Sequence, residues 1–351
     1  TDTWGSFTIS NLPVYEKGQA ITYTVQEVTD RLTKPVNSDY TVSYSSPYTA
    51  ATMKDGAVSI ANSGEITITN ILTGKADITV RKVWEDGNNQ DGKRANITVQ
   101  LQSKVDAGEW AVATDLPDYQ DGEENVEQAA TKILATNAND STAHDQNLTY
   151  TWHDVPLYDA SGNAISYRVV ETKIGNEVVS AENKTTDYTV TYSDNNSGIT
   201  PNTTSTNRTV TITNTHTPET VKLQVEKTWV GDKTDNMDLT FNRPDTLTFT
   251  ITGKIGETKV SDDTVTMTVD YAVNTKTIDV KKTVGDTLVD LPKYSNGQLI
   301  TYTVTEDVPE GYTVDYTGDS QNWTWQQPSA LAALFGSNTE NAVDHVFKVT
   351  N

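Results

Sequence analysis

The chain has 351 residues, a length that suits two or three domains rather than one. Its 48 acidic residues outnumber its 26 Lys and Arg residues, and the formal charge of −22 disfavours binding to nucleic acid or to an anionic membrane surface. The chain has no cysteine, so no disulfide cross-links the fold, and no apolar run reaches the roughly 20 residues that a membrane-spanning helix needs. Because Thr, Val, Tyr and Asn are abundant, we expect an all-β protein.

Three blocks of alternating apolar and polar residues recur in the same order along the chain. In the first block a Pro/Gly turn leads into a strand that ends in Glu, the second reads Tyr-x-Val-x-Tyr, and the third ends in Thr-Asn. Period-two alternation predicts a β-strand in each block. The blocks lie at residues 12–27, 40–44 and 66–70, at 155–171, 188–192 and 210–214, and at 291–306, 312–316 and 347–351. The chain therefore contains three related units.

A fourth block, in which alternate apolar residues lead to Lys and Trp, occurs only at residues 78–84 and 223–229, where it opens the later two units. We predict a partial first unit at residues 1–74 that lacks its opening strand. A complete second unit follows at 75–217, and a complete third unit at 218–351. The connections at the two boundaries are short and leave little freedom between neighbours.

Two short helices are also expected. Residues 104–147 form an insertion in the second unit, and within it Val126, Ala129, Ala130, Ile133 and Leu134 have helical spacing. In the third unit, residues 328–336 begin with Pro and end with Gly, as a short helix often does.

Strand parity places polar residues on the faces that are otherwise apolar. Residues two apart share a face of a strand, and the apolar face is the buried one. The inward polar residues are Lys82, Glu171 and Asn214 in the second unit, Lys227, Glu306 and Asn351 in the third, and Glu27 and Asn70 in the first. Because an isolated buried charge is costly, a recurrent set needs a reason. One reading is structural, with strand-end side chains that reach solvent or a Lys–Glu ion pair capped by Asn.

The other reading is chemical. Burial lowers the pKa of a lysine and raises that of a glutamic acid, so that a proton can pass from the ammonium group to the carboxylate. The neutral amine can then attack the Asn carboxamide while the protonated Glu polarises the carbonyl and delivers a proton to the departing ammonia. The product is a Lys–Asn amide cross-link, and the fold supplies the proximity without any cofactor.

The motifs Lys-Val-Trp, Tyr-x-Val-x-Glu and Thr-Asn resemble those of collagen-adhesin B-type (Cna_B) repeats of Gram-positive surface proteins and pilins, over nearly the whole chain. The resemblance implies tandem immunoglobulin-like β-sandwich domains, each with an isopeptide bond between a first-strand Lys and a last-strand Asn, assisted by a Glu. It pairs Lys82 with Asn214, assisted by Glu171, and Lys227 with Asn351, assisted by Glu306.

The first unit departs from this pattern. Glu27 and Asn70 are in place, but the unit's lysines, Lys17, Lys34 and Lys54, do not lie on an opening apolar strand. Its cross-link site is therefore incomplete. Two sources for the missing strand stay open: an upstream segment, or a Lys-bearing strand from another segment or molecule.

Two weaker signals concern metals and catalysis. Residues 86–92 resemble a calcium loop, but Gly is not at the sixth position and no bidentate Glu closes it, which favours a simple turn. The four histidines, His144, His153, His216 and His345, lack the spacing of a metal site or a catalytic triad. We predict no metal site and no turnover enzyme, since each Lys–Asn reaction happens once.

The leading functional prediction is a stalk or shaft segment of an extracellular, cell-wall-anchored adhesin or pilus. Its partners would be neighbouring domains of the same surface protein. No signal peptide or sorting tail is recognised, so the anchor is expected outside this segment. The alternative is a ligand-binding adhesin region whose insertions recognise a host extracellular-matrix protein or a glycan.

Overall fold

The computed structural model describes residues 6–21, 23–25, 40–45, 58–60, 66–122, 124–136, 148–203, 208–231, 243–317, 321–326 and 342–351. Every helix or strand assigned within these ranges is a β-strand. The described residues include no helix with the length and apolar character needed to cross a membrane. Glu27, Lys34, Lys54, His144 and the helix expected at residues 328–336 lie outside the described ranges.

The described residues of the first unit form six short strands that pair as three two-stranded ladders. They are β1 (Tyr15–Glu16), β2 (Gln19–Ala20), β3 (Tyr23–Val25), β4 (Tyr40–Tyr44), β5 (Val58–Ile60) and β6 (Ile68–Leu72). Strand β1 pairs with β2, β3 with β5, and β4 with β6, all antiparallel.

The second unit is a sandwich of two sheets. Its strands are β7 (Lys75–Glu85), β8 (Ile97–Val105), β9 (Ala111–Val112), β10 (Tyr119–Asp121), β11 (Glu124–Val126), β12 (Thr131–Leu134), β13 (Thr149–Pro156), β14 (Ile165–Ile174), β15 (Glu177–Val178), β16 (Thr189–Tyr192) and β17 (Thr209–Thr215). One sheet has the order β13-β7-β17-β16, and the other has β12-β8-β14-β15 with β9 beside β8. Strands β10 and β11 form a separate hairpin.

The third unit repeats this architecture. Its strands are β18 (Thr220–Val221), β19 (Leu223–Thr228), β20 (Thr246–Ile255), β21 (Thr258–Thr268), β22 (Thr275–Val280), β23 (Lys282–Val284), β24 (Thr287–Val289), β25 (Leu291–Pro292), β26 (Tyr294–Ser295), β27 (Gln298–Leu299), β28 (Thr301–Glu306), β29 (Asp315–Tyr316), β30 (Asn322–Thr324) and β31 (His345–Thr350). The two main sheets have the orders β22-β19-β31-β29 and β21-β20-β28-β30.

In both sandwiches the first long strand pairs in parallel with the last, β7 with β17 and β19 with β31. The strands alternate between buried and exposed residues, as the burial of every second residue of β7 shows. The inward residues of the facing sheets form one apolar core in each unit, with fully buried Trp152 in the second and Phe249 and Tyr302 in the third.

A recurrent tyrosine ties the Pro turn to the strand that follows it. The hydroxyl group of Tyr23 donates to the carbonyl of Pro13 at 2.6 Å, that of Tyr167 to Pro156 at 2.7 Å, and that of Tyr302 to Pro292 at 2.6 Å. Because this bond spans a turn, it fixes where each following strand enters its sheet.

The helix predicted from residues 126–134 is wrong, because this segment forms strand β12 and the end of strand β11. Strand β12 pairs with β8, and its exposure alternates: Ile133 is 69% exposed, whereas Leu134 is only 7% exposed. The turn before it is held by the indole of Trp152, which donates to the carbonyl of Ala129 at 3.0 Å. The spacing of the apolar residues in this segment is compatible with a helix, but pairing with β8 and burial of Leu134 favour the strand.

Candidate cross-link sites in the two complete sandwiches

Lys82 lies in the middle of the core of the second unit. It follows Ile78 and Val80 on the inward face of β7, and none of its surface is exposed. Its Nζ atom donates to the carbonyl oxygen of Val83 at 2.7 Å and lies 4.2 Å from the ring centre of Trp84. The aromatic face and the carbonyl offset part of the cost of burying the ammonium form of this side chain.

Glu171 reaches Lys82 from the opposite sheet, on strand β14. Its Oε2 atom lies 4.0 Å from Nζ of Lys82, and its Oε1 atom accepts a hydrogen bond from Nδ2 of Asn214 at 2.7 Å. Asn214 lies on β17, the parallel neighbour of β7, and is fully buried. The carboxyl group of Glu171 therefore faces both the amine of Lys82 and the carboxamide of Asn214, as the alternation of the three strands predicts.

The third unit contains the same constellation. Nζ of Lys227 lies 3.2 Å from Oε2 of Glu306, and Nδ2 of Asn351 donates to Oε1 of Glu306 at 2.7 Å. Lys227 is fully buried, while Glu306 and Asn351 are each 9% exposed. Nζ of Lys227 also lies 4.8 Å from the ring centre of Trp229. The arrangement is therefore a property of the repeat and not of one unit.

The pKa values in the second unit favour proton transfer. Burial, opposed by the charges of Glu171 and Asp86, lowers the pKa of Lys82 to about 7. Burial, opposed by the charge of Lys82 and by the hydrogen bond from Asn214, raises the pKa of Glu171 to about 7. Since burial shifts the two pKa values toward each other, a neutral amine beside a neutral carboxylic acid can be populated near neutral pH.

The carboxamide oxygens are placed for activation. Oδ1 of Asn214 and Oδ1 of Asn351 are buried and have no hydrogen-bond partner among the described residues. The observed contact, in which Nδ2 donates to the glutamate, suits an ionised carboxylate. A half-turn of the amide exchanges Nδ2 with Oδ1, and a protonated glutamic acid then donates to the carbonyl oxygen. That second arrangement polarises the carbonyl toward attack by an amine.

The first unit does not present such a set among its described residues. Asn70 lies on β6 and is exposed, and its backbone pairs with Val42 of β4. Lys17 lies in the exposed turn between β1 and β2.

The loop at residues 86–92 uses its carboxylates for protein contacts. Both carboxylate oxygens of Asp86 accept hydrogen bonds from the guanidinium group of Arg94, at 2.6 and 2.8 Å, and Oδ2 also accepts one from Tyr188 at 3.1 Å. Oδ2 of Asp91 lies 2.8 Å from Nε2 of His216. Among the described residues no group of His, Asp and Glu side chains is arranged to hold a metal ion.

The same loop contacts the third unit. The backbone N–H of Glu219 donates to Oδ2 of Asp91 at 2.8 Å, and that of Gly297 donates to the carbonyl of Gln90 at 3.0 Å. Arg94 and His216 were not singled out from the sequence as partners of this loop. The feature of the sequence that could indicate these contacts is the presence of Asp86 and Asp91 in a Gly/Asn-rich turn.

Two stacked sheets, a parallel first–last strand pair and an inward Lys, Glu and Asn define an immunoglobulin-like β-sandwich repeat. The chain belongs to the family of the Cna protein B-type domain, whose profile matches residues 78–215 and 223–324.

Among curated relatives, the chain is 29% identical over 320 residues to a collagen adhesin of Staphylococcus aureus. This match covers 91% of the chain but only 19% of the adhesin. Two B repeat units of the collagen binding protein of S. aureus match 97% of the chain and 59% of that structure, at 25% identity and a TM-score of 0.43. The major pilin T-13 of Streptococcus pyogenes matches 79% of the chain and 96% of that structure, at 14% identity and a TM-score of 0.28.

Proposed function

We propose that this chain is a stalk segment of an extracellular adhesin or pilus, and that its second and third units, at 75–217 and 218–351, are each closed by an autocatalytic isopeptide bond. The bonds join Lys82 to Asn214 and Lys227 to Asn351. The observation that carries the proposal is the buried Lys, Glu and Asn set in both cores, with one carboxyl group facing both reacting side chains. The cell-wall anchor would lie in other parts of the protein.

The proposed reaction balances without a cofactor. The neutral amine of the lysine attacks Cγ of the asparagine, and the glutamic acid donates to the carbonyl oxygen. The tetrahedral intermediate then loses its amino group, which leaves as ammonia after taking up a proton through the same glutamic acid. The lysine nitrogen loses a proton in exchange, so the products are a Lys–Asn amide and ammonia. The closed core supplies the high effective concentration that a poor electrophile needs.

The position of each bond suits the transmission of tension. Tension enters a stalk domain at its first strand and leaves at its last, and these strands are hydrogen-bonded neighbours in both sandwiches. Without a covalent link, shear would separate the two strands and unfold the core. With the link, the force passes from one strand to the other through an amide, and the remainder of the domain carries no load.

The contacts around the boundary between the second and third units also suit a stalk. Nζ of Lys293 donates to Oε2 of Glu219 at 2.7 Å, and its backbone N–H donates to the carbonyl of Glu219 at 3.0 Å. Together with the bonds from the loop at residues 86–92, these contacts hold the linker on both sides. A junction held at several points resists bending.

Intact-mass spectrometry tests the proposal. The full chain should weigh less than its sequence mass by two molecules of ammonia, and peptide mapping should recover the two Lys–Asn linked peptides. The Glu171→Ala, Glu306→Ala double variant should keep both ammonia groups. A parent chain of full sequence mass, or a double variant with unchanged ammonia loss, would overturn the mechanism.

Binding to a host matrix protein is the second candidate, since one relative is a collagen adhesin. The observation that favours it is a pair of exposed apolar side chains on the strands beside β8, Val112 opposite Gln102 and Ile133 opposite Thr98. Immobilised collagen and other matrix proteins should retain the parent chain and release an Ile133→Asn, Val112→Asn variant. Equal retention of both chains, or of neither, would remove this candidate.

A further inference from the structure

The backbone of each glutamate is held by a tyrosine from the opposite sheet. The N–H of Glu171 donates to the hydroxyl oxygen of Tyr192 at 3.0 Å, and the N–H of Glu306 donates to that of Tyr316, also at 3.0 Å. Tyr192 ends β16, in the sheet of Lys82 and Asn214, whereas Glu171 lies on β14 of the other sheet. The bond therefore crosses the sandwich at the point where the reaction is proposed to occur.

The two tyrosines occupy equivalent positions in their units. Tyr192 is paired with Ile212, two residues before Asn214. Tyr316 is paired with Val349, two residues before Asn351. Each tyrosine is thus fixed by its ladder to the strand that ends in the reactive asparagine, and through its hydroxyl group to the backbone of the glutamate.

Among the described residues, neither N–H group has a paired residue in the strand on its open side, and in the third unit β28 pairs with β30 only at residues 301–303. Near Glu171 the register between β14 and β8 shifts, and β14 pairs with β15 only at Lys173 and Ile174. A buried N–H without an acceptor is costly, and the tyrosine oxygen supplies one. Burial raises the pKa of Tyr192 to about 12, so the hydroxyl group remains neutral throughout the physiological range.

We propose that Tyr192 and Tyr316 are positioning residues for the cross-linking reaction. By accepting the N–H of the glutamate, each fixes the backbone so that one carboxyl group contacts both the lysine and the asparagine. In the second unit, the same bond engages an N–H that could otherwise donate to the carboxylate of Glu171, and such a donation would stabilise the ionised form and make the acid a poorer proton donor. This proposal rests on the proposed function.

Tyr167 provides a matched control. It lies on the same strand as Glu171, is 3% exposed, and donates its hydroxyl group to the carbonyl of Pro156. A Tyr167→Phe change therefore removes a buried hydroxyl-to-backbone bond of the same kind without freeing the N–H of the glutamate. A purely structural role predicts similar effects for Tyr167→Phe and Tyr192→Phe.

The experiment measures the rate of cross-linking in each unit separately. Full-length chains recovered unfolded and unreacted in concentrated urea are refolded by dilution at a series of pH values. The reaction is quenched over time, and linked and unlinked peptides of the two units are counted by mass spectrometry. Near-ultraviolet circular dichroism reports whether each variant has regained a packed core.

Tyr192→Phe should slow cross-linking about tenfold or more in the second unit and leave the third unchanged. Tyr316→Phe should slow cross-linking in the third unit and leave the second unchanged. This second variant gives an independent test if one of the two folds poorly. In the second unit, Tyr192→Phe should also move the alkaline limb of the rate profile to lower pH, since the freed N–H can donate to the carboxylate of Glu171 and lower its pKa. Tyr167→Phe should change the rate by less than about twofold.

Either of two results would overturn the positioning role: parent-like rates and pH profiles in the tyrosine variants, or an equal slowing by Tyr167→Phe. A parent chain that never loses ammonia in either unit would instead remove the proposed function. The two failures are thus distinguishable in one data set.

Discussion

At the scale of single residues, the main feature is a lysine and a glutamic acid that are buried in the same core. Nζ of Lys82 and Oε2 of Glu171 are 4.0 Å apart, too far for a strong ion pair, and both groups have pKa values of about 7. A structural ion pair would be expected to show closer contact and well-separated pKa values. In the second unit the geometry thus suits a neutral pair better than a structural salt bridge, whereas in the third unit Nζ of Lys227 and Oε2 of Glu306 lie within hydrogen-bond distance, at 3.2 Å.

The rate of cross-linking in the second unit should pass through a maximum near pH 7. Below that pH Lys82 takes up a proton and is no longer a nucleophile, whereas above it Glu171 loses the proton that activates the carboxamide. The measurement is the rate of ammonia loss during refolding across a pH series. A rate that rises steadily into the alkaline range would show that an ionised glutamate suffices.

A Glu171→Gln substitution tests the acid by itself. The variant should slow cross-linking in the second unit by about 10² or more, because the amide cannot exchange the proton, and leave the third unit unaffected. Glu124→Gln, at an exposed position of β11, is the matched control and should react like the parent. Peptide mapping after a fixed refolding time measures all three chains. Equal yields in the Glu171→Gln and Glu124→Gln variants would argue against acid catalysis.

At the scale of the elements, the loop at residues 86–92 connects the two sandwiches. Gly92 has φ +67°, and a Cβ atom there would lie 2.6 Å from Cα of Gly297 in the third unit. Only a residue without a side chain allows this close approach. The loop that resembles a calcium site therefore acts as an interface element.

A Gly92→Ala substitution should loosen this contact. Gly122 is the matched control, since it has φ +65° and nothing lies within 4 Å of a Cβ atom built there. Both substitutions incur the backbone cost of a positive φ, of order 1 kcal/mol, but only Gly92→Ala also displaces the neighbouring unit. Urea unfolding should show a larger loss of unfolding free energy for Gly92→Ala than for Gly122→Ala. Small-angle scattering should show a wider spread of inter-unit angles for Gly92→Ala. Equal losses would mean that the Gly297 contact contributes nothing.

Sequence reasoning predicted the elements whose evidence is local. The alternation in residues 78–84 and 165–171 identified the strands and the inward positions of Lys82 and Glu171. It predicted a helix at residues 126–134 wrongly, because the pairing of β12 with β8 joins residues distant in the chain. The contacts of Arg94 and His216 were missed for the same reason, since nothing near either residue in the sequence reveals its partner.

At the scale of the whole molecule, the junction contains a histidine, His216, whose pKa differs from its usual value. Burial opposes protonation of His216, but its hydrogen bonds to Asp91 and to the carbonyl of Asp187, with the charges of these residues, raise its pKa above the usual 6.5. The ring also lies 5.5 Å from that of Tyr188. Lys93, paired with Asp187 at 3.2 Å, and Lys293, paired with Glu219, are the nearby cations.

The junction should be more stable in mild acid. The pKa of His216 is higher in the folded chain than in the unfolded chain. Its protonation therefore contributes fully to the free energy of unfolding below about pH 6.5, and this contribution is lost as the pH rises through the pKa of the folded chain. The difference in thermal midpoint between the parent and His216→Gln should therefore shrink from pH 6 to pH 8 by a measurable amount, of order 1 °C or more. His153→Gln, at a more exposed pair with Asp77, is the control. A difference in thermal midpoint that does not change with pH would show that the charge of His216 does not contribute to stability.

Pulling single molecules from both ends tests the central claim most directly, that force passes from first to last strand through a covalent bond. In the parent chain the second and third units should extend without any step that releases the residues between Lys82 and Asn214 or between Lys227 and Asn351. The Lys82→Ala, Lys227→Ala variant should release both segments, at about 3.6 Å per residue. The same two steps in the parent chain would contradict the account.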